Sequence, residues 1–268
     1  MNPKPAIVLV SPKGPDNIGS VARAMKNFGL SDLRIVAPRC NLADAHKMAV
    51  HAFELVEQAQ VFDSLLEAVA ELELIVGTTA RTRKDFANVV SPREVAPRFV
   101  GVVSSAVVFG REEHGLFNDE LDLCHALINI PTEGAYPVLN LAQAVQVVVY
   151  ELLLARETPV VSQLQPPRQQ LASRGSLEGM YAHLLEFMLE VGYTDEHRQD
   201  HALRRFRSIF NRSQLDNHDV AFIRGLLSQG LWSSRKARGL GIPGTVPYPL
   251  VDETPYPLTD EIPYPEES

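Results

Sequence analysis

The feature that most constrains the fold is a set of five short apolar runs, separated by segments with helical periodicity. Each run is apolar at successive positions, as in strands that are buried on both faces. Strands of this kind that alternate with helices form a mostly parallel sheet with helices on both faces. The sequence therefore predicts an α/β fold, with strands over residues 6–11, 33–36, 74–78, 106–109 and 126–130.

Beyond the last strand, the apolar residues have helical spacing only. Residues 139–154 are apolar almost all round, which indicates a helix covered on more than one side, by deep burial or by a dimer partner. We therefore predict a first domain over residues 1–156, a linker rich in Pro, Gln and Ser over 157–176, and a small C-terminal helical domain over 177–235. The linker would leave that helical domain isolated from the sheet.

The chain ends in a repeat with the pattern Pro-Tyr-Pro, and residues 236–268 are predicted to be a disordered tail. Residues 244–268 carry six acidic residues and no Lys or Arg, whereas the whole chain has a net charge of −8. Most of the negative charge therefore lies in the tail, and the acidic balance does not exclude a basic RNA-binding surface elsewhere.

Several classes of site and location are disfavoured by the composition. Cys40 and Cys124 have neither metal-ligand nor redox spacing, so we expect no metal and a reducing compartment. No apolar run approaches the roughly 20 residues of a membrane span, and the first residues lack a signal peptide, which predicts a cytoplasmic protein. Residues 14–20 have the glycine spacing of a phosphate-binding loop, but Ser20 replaces the required lysine, so an NTPase is not expected.

Three motifs follow strands, where open α/β sheets gather their ligand-binding loops. They are NIGSVAR at residues 17–23, FGREEHGL at 109–116 and PVLNLAQA at 137–144. Together with VGTTAR at 76–81 they resemble the SPOUT (SpoU-TrmD) RNA methyltransferases, and within them the TrmJ-type tRNA 2'-O-methyltransferases. The resemblance covers residues 5 to about 232.

The resemblance implies a trefoil-knotted methyltransferase domain and a homodimer. It implies transfer of a methyl group from S-adenosyl-L-methionine to a tRNA ribose, at cytidine or uridine 32 of the anticodon loop. The cofactor would be held mainly by backbone groups, which suits small residues at strand ends. The cofactor-binding residues that it implies are Thr78, Thr79, Ala80, Gly110, Gly115, Ile130, Val138, Leu139 and Asn140. Val138 stands where related sequences usually have a serine, so any contact of that hydroxyl is lost or replaced.

The catalytic residues implied by the resemblance are Arg23, Asn17, Glu112 and Asn140. A guanidinium is a poor base, so Arg23 is expected to orient the ribose hydroxyl and stabilise the developing alkoxide, with the proton acceptor left open. His114 is a candidate base or an ordinary exposed side chain. Gly19 and Arg23 are four residues apart on one helical face, and free amides at the helix start would attract an RNA phosphate.

Clustered basic residues predict the RNA contacts. The candidates are Arg81, Arg83, Lys84, Arg111, Arg204, Arg205 and Arg207. Three alternatives stay open: methylation at another tRNA or rRNA site, a non-catalytic RNA-binding paralogue, and a small-molecule α/β enzyme.

Overall fold

The structure, a computed structural model, describes residues 4–80, 89–133, 138–157 and 171–238. Within these residues, seven strands form one sheet in the order β3-β2-β1-β6-β4-β7-β5, and all neighbouring strands run parallel. The predicted α/β class with a mostly parallel sheet is therefore confirmed. The strands are Ala6–Val10 (β1), Leu33–Val36 (β2), Gln60–Phe62 (β3), Leu74–Thr78 (β4), Val89–Val90 (β5), Ser105–Phe109 (β6) and Ala126–Ile128 (β7).

Two strands were missed by the sequence prediction, and both lie at the edges of the sheet. β3 has three residues, of which Gln60 and Val61 are exposed, and β5 has two half-buried residues. Strands this short and this open to solvent have no continuous apolar run to reveal them. The five central strands are buried and coincide closely with the predicted runs.

Both faces of the sheet are covered, because alternate residues of each strand point to opposite sides. In β1, Ile7 and Leu9 enter one core and Ala6, Val8 and Val10 enter the other. Helices Pro15–Asn27 (α1), His46–Ala49 (α2), Phe53–Glu57 (α3), Pro92–Val95 (α5) and Leu141–Glu157 (α7) cover the first face. Helices Leu65–Val69 (α4) and Asn118–Leu121 (α6) cover the second.

Helix α7 occupies most of the segment predicted to be a helix covered on several sides. Its buried side chains pack on the first core and on α1, whereas Val147 and Tyr150 remain exposed in the single chain. Residues 134–137, just before α7, lie outside the described residues. The trefoil knot stays a prediction.

The C-terminal helical unit consists of Arg174–Glu190 (α8), Gln199–Ser213 (α9) and Asn217–Ala237 (α10). A capping box begins α10, because the Asp216 side chain accepts from the Asp219 amide and the Asp219 side chain accepts from the Asp216 amide. No helix in the four described ranges is long and apolar enough to cross a membrane.

The helical unit is not isolated from the sheet domain, contrary to the expectation from the linker composition. The amides of Arg174 and Gly175 donate to the carbonyls of Leu72 and Ala70, each at 2.8 Å. The Asn211 side chain donates to the Cys124 carbonyl at 3.0 Å. Helix α8 thus begins inside the segment expected to be a linker, and it is anchored on the second face of the sheet.

Candidate functional site

A cavity of about 280 Å³ lies at the carboxyl ends of β4, β6 and β7, where parallel sheets bind their ligands. Eight of the nine residues expected to bind a cofactor line it; Asn140 does not. They are Thr78, Thr79, Ala80, Gly110, Gly115, Ile130, Val138 and Leu139.

The loop after β6 turns back on itself so tightly that it needs glycine. A Cβ atom on Gly110 would lie 2.2 Å from the carbonyl carbon of Gly115, and Gly115 itself has φ of +69°. The backbones of Arg111 and Gly115 exchange two hydrogen bonds, of 3.2 and 2.9 Å. The two glycines therefore allow the tight turn that places this loop along the edge of the cavity.

The loop after β4 is held by a residue that the sequence analysis missed. Asn129 donates to the Thr79 carbonyl at 2.9 Å, and the Thr79 amide donates to the Ile128 carbonyl at 2.9 Å. The Thr78 hydroxyl donates to the Val108 carbonyl at 3.1 Å. Asn129 directly follows β7, and that position at the end of a buried strand is the signal that could have identified it.

Glu112 fills the amino terminus of α1. Its carboxylate accepts from the amides of Lys13 and Gly14, each at 3.3 Å, and from the Asn17 side chain at 3.0 Å. Burial alone would raise the pKa of Glu112, but the hydrogen bonds from Asn17, Gly14 and Lys13 hold the pKa below its usual value. The helix terminus that we expected to attract an RNA phosphate therefore carries the chain's own carboxylate.

Gly19 also departs from expectation. A Cβ at this position would lie 2.3 Å from the Ala45 carbonyl oxygen and 2.7 Å from the Ala49 amide nitrogen. Gly19 therefore allows α1 to pack closely on α2, and it does not share an anion site with Arg23.

Asn140 joins the third motif to the first two. Its side-chain nitrogen donates to the side-chain oxygen Oδ1 of Asn17 at 2.9 Å, and its own Oδ1 accepts from the Ala142 amide at 2.9 Å, at the start of α7. The Glu112 carboxylate can only accept hydrogen bonds, so Asn17 must direct its side-chain nitrogen to Glu112 and its side-chain oxygen to Asn140. The orientation of the Asn140 amide follows in the same way. Three of the four residues predicted to be catalytic are therefore brought together.

Arg23, the fourth, is not part of this cluster. It lies on the exposed face of α1 and lines a separate surface groove of about 470 Å³ between α1 and α7. Within the described ranges, Arg23 forms no hydrogen bond or ion pair. Its neighbours along the groove include Ser20, Gln143 and Val147.

Two of the arginines proposed to bind RNA are held by carboxylates inside the protein. Arg111 forms a two-pronged ion pair with Glu120, with both distances 2.9 Å, and its guanidinium lies 4.0 Å from the centre of the Phe117 ring. Arg207 pairs with Glu178 and covers the ring of Tyr181. Neither guanidinium is presented to solvent as an open phosphate contact.

The other candidate RNA contacts differ in exposure. Arg204 is half exposed and donates to Asp122 at 3.2 Å, whereas Arg205 is exposed and has no ion pair with any described residue. Arg81, Arg83 and Lys84 lie outside the described residues.

The part of the chain that the structure describes contains no group of three or more His, Cys, Asp or Glu side chains that could hold a metal ion. Cys124 is fully buried, and burial raises the pKa of its thiol to about 12. Cys40 is half buried, and its pKa is also raised, first by burial.

Comparison with known proteins gives consistent matches over both parts of the chain. The SpoU rRNA Methylase family model matches residues 4–150, and the model of the tRNA methyltransferase TrmJ C-terminal domain matches residues 175–239. The tRNA (cytidine/uridine/adenosine-2'-O-)-methyltransferase TrmJ of Pseudomonas aeruginosa is 34% identical over 250 residues, which cover 87% of this chain and 95% of that protein. The tRNA (cytidine/uridine-2'-O-)-methyltransferase TrmJ of Salmonella typhimurium is 36% identical, with coverage of 83% and 94%.

A solved structure shows the same arrangement. The crystal structure of TrmJ from Z. mobilis ZM4 matches with a TM-score of 0.74 and 33% identity, over 84% of this chain and 98% of that one. A match over 84% of the chain is longer than the sheet domain, so it includes part of the helical unit.

Proposed function

Because this chain belongs to the SpoU methylase family, in its TrmJ branch, we propose that it methylates the ribose 2'-hydroxyl of cytidine or uridine at nucleotide 32 of the tRNA anticodon loop. We further propose S-adenosyl-L-methionine as the methyl donor. The observation that carries the proposal is the cavity at the ends of β4, β6 and β7, which adjoins the cluster of Asn17, Glu112 and Asn140.

The lining of the cavity fits this cofactor. Gly110 allows the loop after β6 to fold tightly on itself at the edge of the cavity, and Thr79, Ile130 and Leu139 line the same cavity. Close approach of backbone to a flat adenine ring suits such a lining. When bound, the cofactor supplies an electrophilic methyl group on a sulfonium, which becomes a neutral thioether after transfer.

Glu112 acts as a structural anchor. Its oxygens are occupied by three donors and its pKa is lowered, so it stays ionised and cannot readily accept the hydroxyl proton. Asn17 and Asn140 are oriented by Glu112 and by the α7 amide, so the first turns of α1 and α7 keep a constant spacing. The Arg23 guanidinium would orient the ribose oxygen and stabilise the negative charge that develops there.

The proposal includes a homodimer. Arg23 lines the groove between α1 and α7 instead of its own chain's cavity, and the apolar side chains of Val147 and Tyr150 are exposed beside it. A second copy seated symmetrically on this groove would cover those side chains. It would also bring its own cavity next to Arg23, so that each active site draws on both chains.

We assign phosphate contacts to the exposed Arg205 on α9 and, outside the described residues, to Arg81, Arg83 and Lys84. Arg204 can contribute only where its pair with Asp122 opens. Arg111 and Arg207 are left out of this assignment because Glu120 and Glu178 already hold them.

Nucleoside mass spectrometry tests the proposed function. tRNA from cells that lack the gene should lose the 2'-O-methyl group at nucleotide 32, and the purified protein with S-adenosyl-L-methionine should restore it. A substrate tRNA with 2'-deoxyribose at nucleotide 32 is the matched control, since it retains the base and lacks the acceptor oxygen. Methylation at a different nucleotide would contradict the assigned position, and tRNA binding without any methyl transfer would indicate a non-catalytic paralogue.

A further inference from the structure

Two exposed aromatic rings, those of His114 and Phe117, lie next to each other at the edge of the cavity lining. His114 lines the cavity directly, and its ring is nearly parallel to that of Phe117, with 26° between the planes and 6.5 Å between the centres. The His114 side chain is 60% exposed and Phe117 is 46% exposed. Large aromatic rings this open to solvent beside a ligand cavity need a physical explanation.

The Phe117 ring is held in place by Arg111 and by the backbone of its loop. The Arg111 guanidinium packs on the Phe117 ring at 4.0 Å and is itself held by both oxygens of Glu120. Glu120 also accepts from the Phe117 amide at 2.7 Å, and the backbones of Arg111 and Gly115 are bonded to each other. The orientation of the Phe117 ring is thus determined by the loop, at no further entropic cost on binding.

Two basic side chains lie near the rings. The Lys13 ammonium lies 2.8 Å from the Glu113 carboxylate. The pKa of Glu113 is lowered first by the hydrogen bond and charge of Lys13, and further by the charges of His114 and Arg39. The Lys13 and Arg39 side chains are thus within electrostatic reach of this loop, where they would meet the phosphates on either side of a stacked base.

We propose that His114 and Phe117 form an aromatic platform on which a base of the substrate loop stacks, at or next to the nucleotide that is methylated. Single-stranded loops are recognised by stacking of unpaired bases on aromatic side chains and by contacts to their phosphates, and both features are present here. The inference rests on the proposed function, because it takes the substrate to be an RNA loop.

The platform accounts for His114 without making it a base. Its Nε2 lies 4.0 Å from the Glu113 carboxylate, and its ring is engaged with Phe117. It is a positioning residue, so its removal should act on the affinity for tRNA. The affinity for S-adenosyl-L-methionine should not change, because the cofactor is assigned to main-chain groups of the loops that follow β4, β6 and β7.

The test measures binding of full-length tRNA and the steady-state constants for His114→Ala and His114→Phe. We expect His114→Ala to raise the Kd and the KM for tRNA about 5- to 150-fold, the range for loss of one base–aromatic stack. The kcat and the Kd for the cofactor should change much less, and His114→Phe should restore most of the tRNA affinity. His46→Ala is the matched control, since His46 is also exposed and lies beside a phenylalanine, Phe53, but does not line the cavity.

An abasic scan of the anticodon loop identifies the base. At one position of the loop, removal of the base should weaken tRNA binding by the wild-type protein as much as the substitution His114→Ala does. The same abasic tRNA should bind the His114→Ala protein no more weakly than intact tRNA does. Additive losses at every loop position would overturn the platform, as would an unchanged tRNA Kd or a weakened cofactor Kd in His114→Ala. Because binding is measured apart from methyl transfer, a protein that binds tRNA without methylating it would contradict the proposed function and still report on the platform.

Discussion

Replacement of Arg174 by Met should destabilise the protein by about 3 kcal/mol, because its charge holds the helical unit against the sheet domain. Arg174 is 0% exposed. Its guanidinium donates to the Asp122 carbonyl at 2.8 Å, to Glu178 at 2.5 Å and to the Asn211 side chain at 3.2 Å. The methionine retains an apolar stem of similar length, so the change removes mainly the charge and its hydrogen bonds.

The magnitude follows from the groups that would be left behind. Loss of one partner from a buried ion pair costs about 3–5 kcal/mol. The lower end applies because Glu178 keeps Arg207 and because Asn211 keeps the Tyr181 hydroxyl. The Asp122 carbonyl alone loses its side-chain donor, at about 1–3 kcal/mol. Burial also lowers the pKa of Arg174, which shows that its charged form is already costly to desolvate and reduces the net loss.

Urea unfolding followed by circular dichroism measures the change in the free energy of unfolding, and amide hydrogen exchange of α8 shows where it arises. Arg198→Met is the matched control: Arg198 belongs to the same unit and pairs with Asp195 at 2.7 Å, but its side chain is 74% exposed. We expect the control to stay close to the wild type. Equal losses in the two variants, or unchanged exchange in α8, would refute the role of Arg174 as the anchor.

Three further predictions concern the sheet domain. The pKa of Glu112 is lower in the folded protein than its unfolded value of about 4.5, so its ionised form adds stability above pH 4.5 that is lost as the pH falls through the folded pKa. Glu112→Gln should therefore be less stable than the wild type at pH 7, and the difference in the free energy of unfolding should vanish at low pH. A difference that does not depend on pH in urea unfolding would contradict this. Gly110→Ala should abolish cofactor binding in calorimetry, whereas Gly179→Ala, whose Cβ would meet only an Arg224 side-chain atom at 3.9 Å, should bind normally. Arg23→Ala and Gly110→Ala should each be inactive. Each mixed dimer should regain one of its two sites, so co-expressed and randomly paired chains should regain about a quarter of the wild-type activity; no recovery on co-expression would contradict the shared site.

The sequence predicted the sheet because its central strands are buried on both faces and are therefore continuous apolar runs. It also predicted that Asn17, Glu112 and Asn140 belong to one site, since each lies in a motif that follows a strand. It could not predict that Glu112 would occupy the start of α1. That contact joins residues 98 positions apart, and no local pattern records which carboxylate reaches a given helix terminus.

The same limit explains why the sequence did not show which arginines are free to bind RNA. The composition gives the number of charged residues, whereas only the structure shows which of them already have partners. Arg207 and Glu178 are 29 positions apart, and Arg174 lies in a segment whose polar composition predicted a linker. Yet both arginines pair with Glu178, and Arg174 is fully buried. A buried charge is tolerated only when it is paired and hydrogen-bonded, and that requirement is met by tertiary contacts that a single sequence does not display.

This distribution of partners bears on how the protein would bind RNA. A free arginine releases phosphate counterions when it binds, and each such contact steepens the dependence of affinity on salt. An arginine that must first leave a carboxylate gains less, because one ion pair is exchanged for another. The exposed Arg205 should therefore contribute a full contact, Arg204 a smaller one, and Arg207 almost none, although the three lie within four residues of one another on α9.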